Sequence, residues 1–291
     1  MDDLLQTTIN GLASGSIYAL GAIGLSLVYA ILKLVNFAHG DFMTLGGYVA
    51  FAVNVSWGMP LVVAIVAAIA AVAALGLVTE ATIWRPMRKR GAGVMQMLLL
   101  SIGLAFVVRN ALLFFAGGES RLLRVDNTAS YDIGIGRISL LQVIVIAVAG
   151  VALVGVALML THTYVGKSMR ALSDSFDLAE VSGINTRRVV TYTWILGGGL
   201  AGLAGVLAAI FTNLTPNMGW TLLLGIFAAI ILGGIGNPFG ALVGGLALGL
   251  VQEWSTNFVA PTYKEAIGFA VLILALLFRP NGLLGHATRT G

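Results

Sequence analysis

Nine apolar runs follow one another along the chain, at about residues 8–32, 37–56, 60–83, 94–116, 138–162, 189–212, 220–236, 238–258 and 264–280. Most reach the ~20 residues that a helix needs to cross the hydrocarbon of a bilayer. Charged residues collect between the runs. The pattern predicts an all-α polytopic membrane protein with about eight or nine transmembrane helices, some of them broken or re-entrant. The seventh and eighth runs are separated only by Gly236-Asn237-Pro238. They are either two spans or a re-entrant pair. That choice changes the crossing count by two and leaves the sidedness of every other segment alone.

Composition agrees with the pattern. Of 291 residues, 58% are hydrophobic and 10% charged, with a mean hydropathy of +0.98. Soluble domains carry about 25% charged residues, so this chain has too few charges to cover a water-facing surface. An ordinary soluble enzyme, a disordered chain and a free nucleic-acid binder are excluded, and a single permease domain over 1–291 is expected. No cysteine is present, so disulfides, thiol chemistry and cysteine metal sites are excluded too.

The net charge of +4 belongs to loops rather than to a nucleic-acid surface. With Arg85, Arg88, Lys89 and Arg90 placed inside, eleven basic residues lie inside and four outside (Arg121, Arg124, Arg137 and Lys264), while Arg109 sits within the fourth run. Cytoplasmic loops are the basic ones. This puts the N-terminus outside and the C-terminus inside. The missing basic n-region makes a cleaved signal peptide an unfavoured reading.

Two connections are long, 117–137 outside and 163–188 inside. In the inner one, Met169, Leu172, Phe176 and Ala179 recur at helical spacing, with Arg170, Ser173, Asp174, Asp177 and Glu180 on the other faces. That spacing predicts a short amphipathic helix over about 168–182, ended by Gly183 and Ile184 in a left-handed cap. A face this weakly apolar and this acidic suits a protein groove better than lipid headgroups. Gly166-Lys167-Ser168 imitates the end of a phosphate-binding loop, but Thr161 stands where the motif needs its first glycine. ATP chemistry is therefore expected in a separate chain.

Glycine makes up 38 of the residues. Gly198, Gly202 and Gly205 share one helical face. Gly236, Gly240 and Gly244 form a row, Gly245 and Gly249 a second, and Gly11, Gly15, Gly21 and Gly24 mark the first run. Such spacing lets membrane helices approach closely. Two turns interrupt apolar runs, Asn36-Phe37-Ala38-His39-Gly40-Asp41 and Gly233-Gly234-Ile235-Gly236-Asn237-Pro238-Phe239-Gly240. Their likeness suggests a parallel internal repeat relating the first three runs to the last three. His39 and Asp41 are placed at a cytoplasmic boundary, as a helix start rather than a proton relay. Arg109 either snorkels outward or faces a water-filled path. Glu80 is expected to snorkel inward, and Glu253 to be the polar group inside the bundle. No spacing suggests a metal site or a catalytic triad.

Taken together, several blocks resemble the branched-chain amino acid ABC-transporter permeases, and within them the LivH type. They are Ile17-Tyr18-Ala19-Leu20, Asn36-Phe37-Ala38-His39-Gly40, Arg85-Pro86-Met87-Arg88, Gly166-Lys167-Ser168-Met169-Arg170-Ala171, Ser182-Gly183-Ile184-Asn185-Thr186, Leu232 to Ala241, and Arg279-Pro280-Asn281-Gly282-Leu283-Leu284-Gly285. The resemblance implies a multi-pass subunit of the bacterial inner membrane that pairs with a second, similar permease. Two cytoplasmic ATPases holding ATP and Mg2+ would drive it, and a periplasmic binding protein would deliver substrate. This chain itself would hold no cofactor. It implies ATPase coupling through Arg170, Phe176, Ala179, Gly183, Ile184 and Asn185, and docking of the binding protein at 117–137. The family also carries other small neutral solutes, including urea and amides. A self-contained channel or secondary transporter for such a solute is the alternative, and the substrate-binding residues carry no motif.

Overall fold

The computed structural model describes residues 2–125, 130–132, 137–279 and 281–284. Every apolar run is helical. The helices are α1 (Asp2–Leu32), α2 (His39–Phe51, continued by a π turn, Ala52–Ser56), α3 (Leu61–Thr79), α4 (Arg85–Lys89), α5 (Val94–Ala116), α6 (Leu140–His162), α7 (Tyr164–Asp174), α8 (Phe176–Val181), α9 (Thr186–Phe211), α10 (Met218–Gly233), α11 (Pro238–Ser255) and α12 (Lys264–Phe278). A π turn, Glu80–Trp84, joins α3 to α4. Two short strands, β1 (Ser130–Asp132) and β2 (Arg137–Ser139), pair antiparallel in the long loop before α6, with Tyr131 opposite Ile138. The hydrophobic pattern did not predict them.

Six of these helical stretches are long and apolar enough to cross a membrane: Leu4–Leu32, Leu61–Lys89, Val94–Ala116, Leu140–His162, Thr186–Phe211 and Pro261–Phe278. The α10–α11 pair, bent by 119°, is a seventh if counted as one span. That is fewer than the eight or nine helices expected, some of them broken or re-entrant, and the difference lies in α2, α10 and α11.

The second run does not begin at a membrane surface. The imidazole Nε2 of His39 meets the carbonyl of Gly21 at 3.0 Å. Gly21 lies eleven residues before Leu32, so α2 starts about 16 Å from the C-terminal end of α1 at 1.5 Å per residue. Lys33, in the left-handed region with φ 52°, turns the chain back after α1. Ser101 of α5 then closes the returning segment, donating to the carbonyl of Val35 and accepting from the amide of Phe37, both at 3.2 Å. A backbone without helical bonds at this depth needs such protein partners. The resulting α2 is enclosed by other helices, and ten of its thirteen residues are buried.

The α10–α11 pair is a hairpin. Gly225 and Ile226 of α10 lie against Tyr18 and Gly21 of α1, in the same chain direction. Gly245 and Gly249 of α11 lie against Ala19 and Gly15, in the opposite direction. The turn between them sits beside Tyr29 and Ala30.

The glycine rows predicted from spacing are the seams of this bundle. Gly198 and Gly202 of α9 take α3 at Val72, Ala73 and Ala68, and Gly205 takes α2 at Met43. Gly240 and Gly244 take α10, while Gly11 and Gly15 take α11. The centre of the molecule is thus α1, α2, α9 and α11. The apolar windows of α1 and α9 are 83% buried, whereas those of α5 and α12 are 11% buried and stand at the edge.

A side chain at a seam has no room. Gly249→Leu would collide with the backbone of Gly15, and we expect it to destabilise the detergent-solubilised protein by about 1–3 kcal/mol, the usual range for overpacking. Gly155→Leu, on an open face of α6 with nothing within 4 Å, should leave the melting temperature unchanged. Equal melting temperatures for the two variants would contradict the seam.

Candidate functional site

The loop at 163–188, predicted to be the inner one, forms two helices, not the single helix expected over 168–182. Thr163 ends α6 and caps α7, accepting from the amide of Gly166 at 3.1 Å. Gly166 is pressed against the carbonyls of Met159 and Leu160, so Gly166-Lys167-Ser168 is the packed first turn of a helix. At Ser175 the helix breaks. The Ser175 hydroxyl accepts from Leu178 N at 3.3 Å and so starts α8. The break turns the predicted stripe. Met169, Leu172 and Ala179 are buried as expected, while Phe176 is exposed. Phe176, Leu178 and Val181 together give α8 an uncovered apolar tip, with Val181 88% exposed.

The cap of this loop follows the sequence expectation. Gly183 has φ 83°, its amide donates to Glu180 O at 3.0 Å, and Ile184 N donates back to Ala179 O at 3.1 Å. These are the reversed bonds of a helix ended by a left-handed residue. Asn185 then starts α9, its Oδ1 accepting from Arg188 N at 3.0 Å. Arg170 is exposed on α7. It lines a cavity of about 450 Å³ with Met169, Ser173, Gly236, Asn237 and Phe239. The inner loop and the α10–α11 turn therefore share one cavity, although about sixty residues separate them in the chain.

That turn is itself held from outside. Asn237 Oδ1 accepts from the amides of Phe239 and Gly240 at 3.0 and 3.2 Å. The chain after α12 lies across the end of α10, with Leu283 N donating to Leu232 O at 2.8 Å and Leu284 N to Gly233 O at 3.0 Å. Asn237 Nδ2 closes the contact on the carbonyl of Leu284 at 2.9 Å. Two sequence blocks that looked separate are thus one structural unit around Gly233, Gly234, Gly236 and Asn237. Pro280 and Gly285 of the last block lie outside the described residues, as does Arg289.

The Asn36 turn is unlike it in position, though not in local chemistry. Asn36 Oδ1 accepts from Ala38 N at 3.1 Å, and Phe37 packs on Phe227 with ring centroids 4.9 Å apart. Here the expectation of a watery boundary fails. Asp41 is fully buried and His39 is 2% exposed. Gly40 is pressed against Gly219 of α10, and Gly219 N donates to Thr44 Oγ1 at 2.9 Å. The starts of α2 and α10 therefore cross backbone to backbone inside the bundle.

Arg109 neither snorkels outward nor stands alone. Its Nε donates to Asp41 Oδ1 at 2.9 Å and its Nη2 to Oδ2 at 3.1 Å. Its Cζ lies 4.7 Å from the centre of the Trp220 ring. One guanidinium thus ties α5 to the starts of both α2 and α10. The sequence carried a signal for this pair, since two opposite charges in apolar runs at membrane depth need each other, but their separation hid it. Glu80 departs from expectation in the same way. It is buried, pairs with Arg88 and accepts from Trp194 Nε1 at 2.8 Å. Glu253 is buried as expected and paired with Lys264 at 2.9 Å.

The connections predicted to lie outside are also tied together. Arg121 and Leu214 exchange backbone bonds of 2.9 and 3.0 Å, and Arg124 N donates to Asn54 Oδ1 at 2.8 Å. Of the expected docking loop, 126–129 and 133–136 lie outside the described residues. No group of three or more metal-ligating side chains occurs among the described residues.

A family model described as "Branched-chain amino acid transport system / permease component" matches residues 7–276. The chain belongs to that family. It is 32% identical to the high-affinity branched-chain amino acid transport system permease protein BraD of Pseudomonas aeruginosa, over 97% of this chain and 96% of that one. To LivH of Escherichia coli K12 it is also 32% identical, over the same shares. To the ribose import permease protein RbsC of Escherichia coli K12 it is 27% identical, over 95% and 86%. No solved structure matches.

Removing Asp41 leaves a buried, uncompensated guanidinium in this family member. Breaking one side of a buried pair costs about 3–5 kcal/mol. Asp41→Ala should therefore lower the melting temperature of the purified protein well below that of the Asp41→Ala/Arg109→Met double variant. A double variant no more stable than Asp41→Ala alone would show that the pair does not hold the three helices.

Proposed function

We propose that this chain is the permease subunit of an ATP-driven ABC importer of the inner membrane, for branched-chain or other neutral amino acids. Membership of the branched-chain permease family supports the substrate class. One structural observation carries the coupling: the uncovered apolar tip of α8, Phe176, Leu178 and Val181, stands on a loop that is otherwise packed into the bundle. A water-facing apolar tip of this kind is completed by a protein groove. The groove belongs to a cytoplasmic ATPase, of which two serve the pair of permeases and hold the ATP and Mg2+. Beside the tip, Ser168, Gly183, Asn185 and Arg188 line a cavity of about 330 Å³ that suits a knob from that partner. Through Arg170 the same loop faces the α10–α11 turn, so a push on α8 reaches the hairpin.

The sidedness that fits this reading has the N-terminus outside and the C-terminus inside. The structure sorts the loops into two groups. Lys33 meets Ser173 at 3.4 Å, and the chain at 281–284 meets 232–237. At the other end, 121–124 meets 54 and 214, and Trp254 meets Thr8. The first group holds most of the basic residues and is therefore the cytoplasmic one. Nine passages, with α2, α10 and α11 the short ones, give the same two termini. The outer group is the surface for a periplasmic binding protein.

Purification from the native membrane in mild detergent should recover two ATPases and a second permease with this chain. Recovery of the chain alone, still moving a neutral solute such as urea in liposomes without ATP, would sink the importer and favour a channel or secondary transporter. Gly183→Trp places a large side chain at a left-handed backbone position that disfavours any L side chain by about 1–2 kcal/mol. We expect it to abolish ATP-driven uptake at normal expression. Normal uptake would count against coupling through this loop.

A further inference from the structure

The cavity shared by α7 and the α10–α11 turn has walls of two kinds. Leu27 and Ile31 of α1, Leu160 of α6 and Met169 of α7 line it, and each is at most 4% exposed. Arg170 and Asp174 of α7 line it as well, and both are exposed. At about 450 Å³ it falls in the range of small-molecule sites. Close packing does not leave a void of this size. The neighbouring α10–α11 seam, at Gly233 and Gly240, has its backbones in direct contact.

The two charges stand one turn apart. Arg170 and Asp174 are at i and i+4 of α7, a spacing that shares one helix face. Neither side chain makes an ion pair or a hydrogen bond among the described residues. Lys33 donates to the Ser173 carbonyl at 3.4 Å and adds a second cation close by. Across the cavity, Asn237 has both ends of its amide engaged, in its own turn and on Leu284. The ionic groups of the lining therefore all come from α7.

This combination selects among small solutes. A simple anion is drawn to Arg170 and repelled by Asp174, and a simple cation meets the reverse. A dipolar ion satisfies both, with its carboxylate on the guanidinium and its ammonium on the carboxylate. The buried wall of Leu27, Ile31, Leu160 and Met169 favours an apolar side chain in proportion to the area it covers. Occupancy also has a mechanical consequence. The cavity lies between the loop that carries α8 and the hairpin, so a push on α8 has to cross it. A ligand that binds there favours the arrangement in which the cavity exists, by as much as it prefers that arrangement to any other.

We propose that this cavity is an inhibitory site for a free neutral amino acid with a branched apolar side chain, entering from the cytoplasmic face. The imported product thereby slows its own import. This rests on the importer reading above for sidedness and cargo.

The test uses the complex of this chain with its partner permease and ATPases. It is placed in proteoliposomes with the ATPases outward and with binding protein and leucine in the lumen. Leucine added outside should suppress ATP hydrolysis, each rate being taken relative to the same complex without outside leucine. Isocaproate, which lacks the ammonium, and leucinamide, which lacks the carboxylate, should not. Asp174→Asn should need about tenfold more outside leucine for the same suppression, a loss of ~1.4 kcal/mol. Asp177→Asn, on α8 and outside the cavity lining, should respond like the wild type. In detergent without binding protein, radiolabelled leucine should bind the wild-type complex and bind Asp174→Asn about tenfold more weakly. Suppression that is equal for leucine and its two analogues, or equal in the wild type and Asp174→Asn, overturns the site. Absence of leucine binding overturns it too, and binding without suppression overturns its inhibitory role. Failure of lumenal binding protein to stimulate hydrolysis by the wild type overturns the importer reading instead, and the binding measurement still decides whether the cavity takes the amino acid.

Discussion

Everything in this bundle depends on backbones touching where α2 and α10 begin. Gly40 and Gly219 meet without a side chain between them, and both helices start well inside the molecule. A helix start carries unsatisfied amide groups, and at membrane depth water does not supply their partners. The structure supplies them from side chains: Asn36 to Ala38 and Thr44 to Gly219. His39 and Ser101 do the same for the carbonyls of Gly21 and Val35. With any bulk at Gly40 or Gly219 the two starts separate and those bonds go with them.

Charge follows the same logic. The buried acids Asp41, Glu80 and Glu253 each hold a cation, Arg109, Arg88 and Lys264. Two of these pairs lie near the ends of helices. The pair at Asp41 lies at the helix crossing, where it joins three elements. A buried pair is a weak source of stability but a strong determinant of which groups meet.

The end of the bundle that carries α7 and α8 is built for contact rather than for rigidity alone. The break at Ser175 points Phe176, Leu178 and Val181 away from the bundle, while Met169 and Leu172 hold α7 to it. The α10–α11 turn, which shares a cavity with Arg170, is bound by the chain after α12. A displacement of the loop therefore has a short route to the hairpin. Relatives whose names cite branched-chain amino acids and ribose align along almost the whole chain. The shared scaffold therefore does not dictate the solute, and recognition has to come from particular side chains.

The sequence by itself determined the class of solvent, the helices, the glycine seams and the cap at Gly183. Each of these is written in local spacing: apolar length, rows of small residues, or one glycine after an amphipathic turn. It also marked the blocks around Asn36 and Asn237, because Gly, Asn and Pro interrupt apolar runs visibly. The tertiary structure alone decided depth and partnership. Hydropathy does not say whether a run begins at a surface or halfway through the bundle, so α2 read as a full span and Asp41 as a boundary residue. The Asp41–Arg109 pair crosses sixty-eight positions of chain, and the strap from Leu283 to Leu232 crosses fifty-one. Such meetings depend on how whole helices pack, through close backbone approaches that no single segment encodes.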